Sequence, residues 1–183
     1  MDRRSYLVAT TALATGTAGC AEVLPGAGSS GELTVVESGR VDGRIVEQSA
    51  APPEYTARIE NTGITGELRA SLYWNGDEEA SEQPAATTTV AIDRGATRSV
   101  TLTAERPASA TTYGFRLESM DFTAEIQNTG AETTVRAQLV EQPSETVLVE
   151  TERVIPGGET GTAEFHVPSG YAGEYEIRVL TTR

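Results

Sequence analysis

His166 is the only histidine in the chain and Cys20 the only cysteine. A site built on two imidazoles therefore cannot be assembled, and no disulfide can close within the chain. In Ala163-Glu-Phe-His-Val167 the apolar residues alternate, which puts His166 on the outward face of a strand as a solvated side chain. Ser169 is close by in sequence. However, a serine nucleophile of the Gly-x-Ser-x-Gly kind has no matching stretch here, and neighbours along a strand face opposite ways. Asp77, Glu78, Glu79 and Glu82 gather behind Asn75-Gly76 and have reach for a calcium ion. Their spacing is not that of an EF-hand loop, and acidic loops are expected throughout a chain of this composition. With no set of roles to assemble, no catalytic residue, cofactor or metal is expected.

The elements that must carry these residues are strands. Tyr55-Thr-Ala-Arg-Ile-Glu-Asn-Thr-Gly63 returns as Phe122-Thr-Ala-Glu-Ile-Gln-Asn-Thr-Gly130. In each copy an aromatic, an Ala, an Ile and an Asn fall on alternate positions, the pattern of a strand with one buried face. The Asn-Thr-Gly that follows is turn chemistry, since Asn bonds to its own backbone and Gly accepts positive φ. Tyr55–Leu72 aligns without gaps on Phe122–Leu139, with nine of eighteen positions identical. After a small deletion, Ile92, Gly95 and Thr97 correspond to Ile155, Gly158 and Thr160, and Tyr113-Gly-Phe-Arg-Leu to Tyr175-Glu-Ile-Arg-Val. The shared order marks an internal repeat. Further strands are expected at Leu33–Glu37, Val41–Val46, Leu68–Trp74, Thr87–Ile92 and Ser99–Thr103, with a loop at Ser49-Ala-Ala-Pro-Pro53. Trp74 falls in phase with the buried series and Tyr73 out of phase. That makes Trp74 a core residue beneath an exposed Tyr73, which could otherwise form a binding patch.

The first twenty residues read as an address. Arg3 and Arg4 precede a weakly apolar run from Tyr6 to about Thr15, too short and too rich in Thr to span a bilayer as a helix. Arg3-Arg-Ser-Tyr-Leu7 resembles the twin-arginine export motif, and Thr17-Ala-Gly-Cys20 resembles a lipobox. Asp2 stands where the export motif prefers Ser or Thr, and Thr17 where a lipobox prefers a branched apolar residue. The resemblance implies cleavage behind Gly19 and a lipid on Cys20, placing the protein on the extracytoplasmic face of the cell membrane. Ala21–Gly31 has linker composition and would hold a domain roughly 15–20 Å from that anchor.

The chain carries 27 acids against 14 basic residues, net −13, and every basic residue is Arg. Acidic excess without lysine, together with many threonines, resembles proteins of halophilic archaea. The carboxylates keep the surface hydrated while concentrated salt screens their repulsion. No basic stripe exists to release counterions from phosphates, so nucleic acid is not an expected partner.

Short alternating strands with turn signals between them look like an immunoglobulin-like sandwich. More narrowly, Ile59-Glu-Asn-Thr-Gly63, Ala70-Ser-Leu-Tyr-Trp-Asn-Gly76, Arg94-Gly-Ala-Thr97 and Tyr113-Gly-Phe-Arg-Leu117 resemble the CARDB family of adhesion-related surface domains. The expectation is an all-β chain with a signal peptide at 1–19 and an anchor cysteine with linker at 20–32. Two tandem immunoglobulin-like sandwiches follow at 33–119 and 120–183, the second shorter; one merged sandwich is the alternative. The resemblance implies a non-enzymatic surface protein with structural or protein-contact roles, joined to the membrane through Cys20 and meeting a protein partner outside the cell. A solute-binding or transporter-accessory lipoprotein is the alternative, and it would need a concave pocket with converging polar groups.

Overall fold

The computed structural model describes residues 32–76 and 83–181, and among these the chain is all β, with eleven strands and no helix. In chain order they are β1 (Leu33–Arg40), β2 (Gly43–Ala51), β3 (Glu54–Asn61), β4 (Gly66–Gly76), β5 (Ala86–Ile92) and β6 (Thr97–Thr103). These are followed by β7 (Ala110–Asn128), β8 (Thr133–Glu141), β9 (Val147–Ile155), β10 (Thr160–Tyr171) and β11 (Tyr175–Thr181). Three sheets result, in the orders β2-β3-β6, β1-β7-β4-β5 with β10 also on β7, and β11-β8-β9. The ladders β2–β3, β3–β6, β4–β5, β4–β7, β8–β9 and β8–β11 are all antiparallel. This architecture is compatible with β-sandwich packing.

The period-two reading holds for the apolar residues of β3 and β4, while Ser71, out of phase with them, is buried as well and shares a hydrogen bond with Thr87. Tyr55, Ala57, Ile59 and Asn61 are buried along β3, and Leu68, Ala70 and Leu72 along β4. The expected loop at Ser49–Pro53 is shorter than its composition suggests. Ser49, Ala50 and Ala51 stay in the ladder opposite Thr56, Tyr55 and Glu54, and the turn is made by Pro52-Pro53 alone. Proline stops the ladder where a missing N–H matters, and the three residues before it still have theirs to donate.

The chain forms two compact units. One comprises Gly39–Phe122 with His166–Ala172; the other comprises 32–38, Thr123–Phe165 and 173–181. Neither is one continuous stretch. The expected division at 119/120 falls inside β7, which runs unbroken from Ala110 to Asn128. The burial phase of β7 explains how one strand serves two cores. Beyond Ala110, its half-buried Tyr113, Phe115 and Leu117 pack on the first core from odd positions, with Ser119 buried in the same phase, and from Met120 onward the buried positions are even, through Phe122, Ala124, Ile126 and Asn128. A change of phase in a strand turns its opposite face inward.

In the first unit, sheet β2-β3-β6 and strands β4 and β5 share a single core of Val41, Tyr55, Ala57, Ile59, Leu68, Ala70, Leu72, Ile92, Val100 and Leu102. Each fully buried Ile or Leu there contributes about 1.5–3 kcal/mol. Trp74 and Tyr113 pack against this core, and both stand edge-on to the Tyr55 ring at 5.0 Å. In the second unit Val135, Ala137 and Leu139 repeat the β4 pattern on β8, with Ile155, Phe165, Ile177 and Val179 buried on the other strands.

The repeat is closed in both copies by the same asparagine corner. Asn61 is fully buried; its amide donates to the carbonyls of Ile64 (2.7 Å) and Ile92 (3.1 Å), and its Oδ1 accepts from the N–H groups of Asp42 and Gly63. Asn128 donates to Ala131 (2.8 Å) and to Ile155 (2.9 Å), the counterpart of Ile92, while Gly130 N–H donates to its Oδ1. The backbones match as well. Gly95 N–H donates to Asn61 O and Gly158 N–H to Asn128 O, each at 2.8 Å. Gly95 and Gly158 have φ of 74° and 79°, a conformation that fits glycine because it lacks Cβ.

The Tyr55 hydroxyl is buried and lacks a hydrogen-bond partner among the described residues. A buried unpaired hydroxyl costs about 1–3 kcal/mol. The second copy carries Phe122 at the corresponding position. Tyr55→Phe is therefore expected to raise stability by about 1 kcal/mol. Urea denaturation of the two proteins checks this, and a lower midpoint for the variant would show that the hydroxyl is satisfied.

Candidate functional site

The first unit brings three ligand-type side chains together: Glu67 at the start of β4, Asp121 on β7 and His166 on β10. Asp121 is the centre. It lies just past the phase change in β7, and its backbone carbonyl accepts from Val41 N–H at 3.1 Å. One carboxylate oxygen, Oδ2, accepts the backbone N–H of Glu67 at 2.7 Å. The other, Oδ1, lies 2.7 Å from Nδ1 of His166.

Local sequence makes this possible. A Cβ on Gly66 would stand 2.7 Å from Oδ2 of Asp121 and 2.6 Å from the Val41 side chain. Only glycine lets the carboxylate come down onto the turn into β4. Buried Phe165 and Val167 flank His166 and hold its backbone in the strand, so the imidazole points outward, as its alternation with apolar neighbours requires. The imidazole is 49% exposed and the Asp121 side chain 28%. One nitrogen and two carboxylate oxygens, one from each residue, lie within 4.8 Å of one another.

The charged surroundings are engaged in other contacts. Arg69 donates to the carbonyl of Ser169 at 2.7 Å and stands 3.8 Å from Glu118. Arg116 lies over the Tyr73 ring, 4.4 Å from its centroid. Tyr73 thus occupies the face opposite the core, where its phase puts it, and a stacked guanidinium shares that face with it. Ser169 Oγ donates to the Gly170 carbonyl at 3.4 Å. A histidine held by a carboxylate has the first two parts of a hydrolytic relay. The relay also needs a hydroxyl or thiol presented to the imidazole. What the three residues do supply is a set of electron-pair donors suited to a cation.

Sequence alone placed His166 on the right face and missed its partners. Asp121 is 45 residues from His166, and the Glu67 amide is 54 residues from Asp121. No local pattern links them. The residues singled out for export and lipidation, Arg3, Arg4, Gly19 and Cys20, lie outside the described residues, as do Asp77, Glu78, Glu79 and Glu82. No protein-family model matches the chain, and no curated protein matches its sequence.

Proposed function

We propose that the chain is a lipid-anchored, non-enzymatic surface protein that presents tandem immunoglobulin-like, CARDB-like β-units to a protein partner outside the cell. The observation that carries this reading is Cys20, the single cysteine, which directly follows Thr17-Ala18-Gly19 at the end of the short apolar run behind Arg3-Arg4. The repeat supports it. Five of the residue pairs identical in both copies, Ala57 with Ala124, Ile59 with Ile126, Asn61 with Asn128, Ala70 with Ala137 and Leu72 with Leu139, are buried at corner and core positions. A duplicated unit of this kind serves as a spacer or a recognition surface.

The test is to express the full chain in an archaeal host with twin-arginine export. Wild-type protein is expected in the membrane fraction, carrying a lipid mass on Cys20 behind a cleaved leader, while Cys20→Ser is released from the membrane. An unmodified Cys20, or protein retained in the cytoplasm, would overturn the reading.

A further inference from the structure

We propose that Glu67, Asp121 and His166 form a surface site for a divalent transition-metal ion, with zinc as the representative ligand. The donor set points to this class. Oxygen-only sites suit calcium and magnesium, whereas an imidazole nitrogen among carboxylates selects the borderline first-row ions. Three protein donors leave further positions to water, the pattern of an open site.

The geometry is close to what such an ion needs. Zinc sits about 2.0–2.2 Å from nitrogen and oxygen ligands, so ligand atoms in a tetrahedral site are about 3.4 Å apart. The three atoms here all lie within 4.8 Å, and Nδ1 and Oδ1 are 2.7 Å apart. Small rotations of two partly exposed side chains, His166 and Glu67, close one gap and open the other. Asp121 needs no such adjustment. Its Oδ2 is already fixed by the Glu67 N–H and its position is secured by Gly66, while Oδ1 is directed at His166. A ligating carboxylate oriented through its other oxygen is the usual outer-shell support of a metal centre.

Electrostatics favour the same outcome. Two carboxylates converge on one imidazole, and Arg69, on the same strand as Glu67, is turned to Glu118 and the Ser169 carbonyl. A dication would neutralise the two carboxylates at this point. Binding breaks the bond between Nδ1 and Oδ1. The Nδ1 lone pair goes to the metal, and the imidazole proton resides on Nε2.

Because His166 is the only histidine, its two imidazole resonances report on this site alone. Zinc chloride titrated into the full chain, followed by calorimetry and by NMR of those resonances, is expected to show saturable binding of one ion, with the resonances shifting in step. His166→Gln and Asp121→Asn should each weaken binding at least tenfold, and Glu67→Gln several-fold, with circular dichroism unchanged. His166 is exposed, so its variant keeps the fold even if Asp121→Asn does not. A Cys20→Ser background removes the thiol as a competing ligand. Unsaturable binding, binding equally strong in His166→Gln, or an unaffected Glu67→Gln would each overturn the three-residue site.

Discussion

Asn61→Asp is expected to destabilise the protein more than Asn61→Ala, although aspartate is nearly the same shape as asparagine. The Asn61 amide donates to two carbonyl oxygens, those of Ile64 and Ile92, inside a fully buried corner. Its oxygen accepts from two backbone N–H groups, those of Asp42 and Gly63. Alanine removes the Asn61 contact from all four groups but makes a small space that water can enter, at a cost of about 3 kcal/mol. Aspartate keeps the two acceptor contacts and turns the donor end into a carboxylate oxygen facing two carbonyls. A buried, uncompensated charge costs more than a missing hydrogen bond. The variant's carboxyl is thereby pushed above its unfolded value. The stability it retains is then fully present at acid pH and is lost as pH rises through the raised value. Guanidinium denaturation across pH is the measurement. Aspartate tolerated as well as alanine at neutral pH would show that the corner is open to water. The same ranking is expected at Asn128, which donates to Ala131 and Ile155.

How much of this was legible in the sequence depends on how far apart the interacting residues are in the chain. The corner was legible because its parts recur at a fixed spacing. Asn61 and Gly63 return as Asn128 and Gly130, and only a shared local geometry would keep them together through duplication. The burial of β3 and β4 followed from alternation, since a pleated strand with one apolar face has a single way to hide it. The change of phase at Ser119–Met120 was not legible. Leu117 and Phe122 are both apolar, and the spacing of five between them fits a strand that switches faces as well as a break between two strands. The pairing of Asp121 with His166 was hidden for a related reason. It depends on how β10 and β4 lie beside β7, and strand register between distant segments is set by tertiary packing rather than by local pattern. Gly66 marks the place in retrospect. Nothing in the sequence distinguishes it from the other turn glycines, yet here the missing side chain is what admits the carboxylate.

Raising salt from about 0.1 M to about 1 M is expected to stabilise the protein by about 2–3 kcal/mol, an upward shift of roughly 5–10 °C in Tm for a chain of this size. The sign follows from the balance of charge. The chain holds 27 acids and 14 arginines, so repulsive pairs outnumber attractive ones. The attractive pairs are mostly solvated, as in Arg44–Glu60, where 69% of the arginine side chain is exposed, and each such pair contributes at most about 1 kcal/mol. The Arg178 cluster joins one guanidinium to two carboxylates, those of Glu145 and Glu176. There the Glu176 hydrogen bond first, and Glu145 after it, hold the guanidinium above its ordinary range, so it stays charged throughout. Salt weakens both kinds of interaction as the Debye length falls from about 10 Å to about 3 Å, and the more numerous repulsions lose more. Screening saturates near that concentration, whereas stabilisation by exclusion of salt from the surface continues to climb, so the shape of the Tm curve separates the two causes. Glu105, Glu132 and Glu164 are exposed, and replacing all three with glutamine removes three negative charges. That variant should melt higher than the parent in dilute buffer and depend less on salt. A Tm that stays level or falls as salt is added, or a triple variant with the parent's salt slope, would mean that net repulsion does not limit this fold.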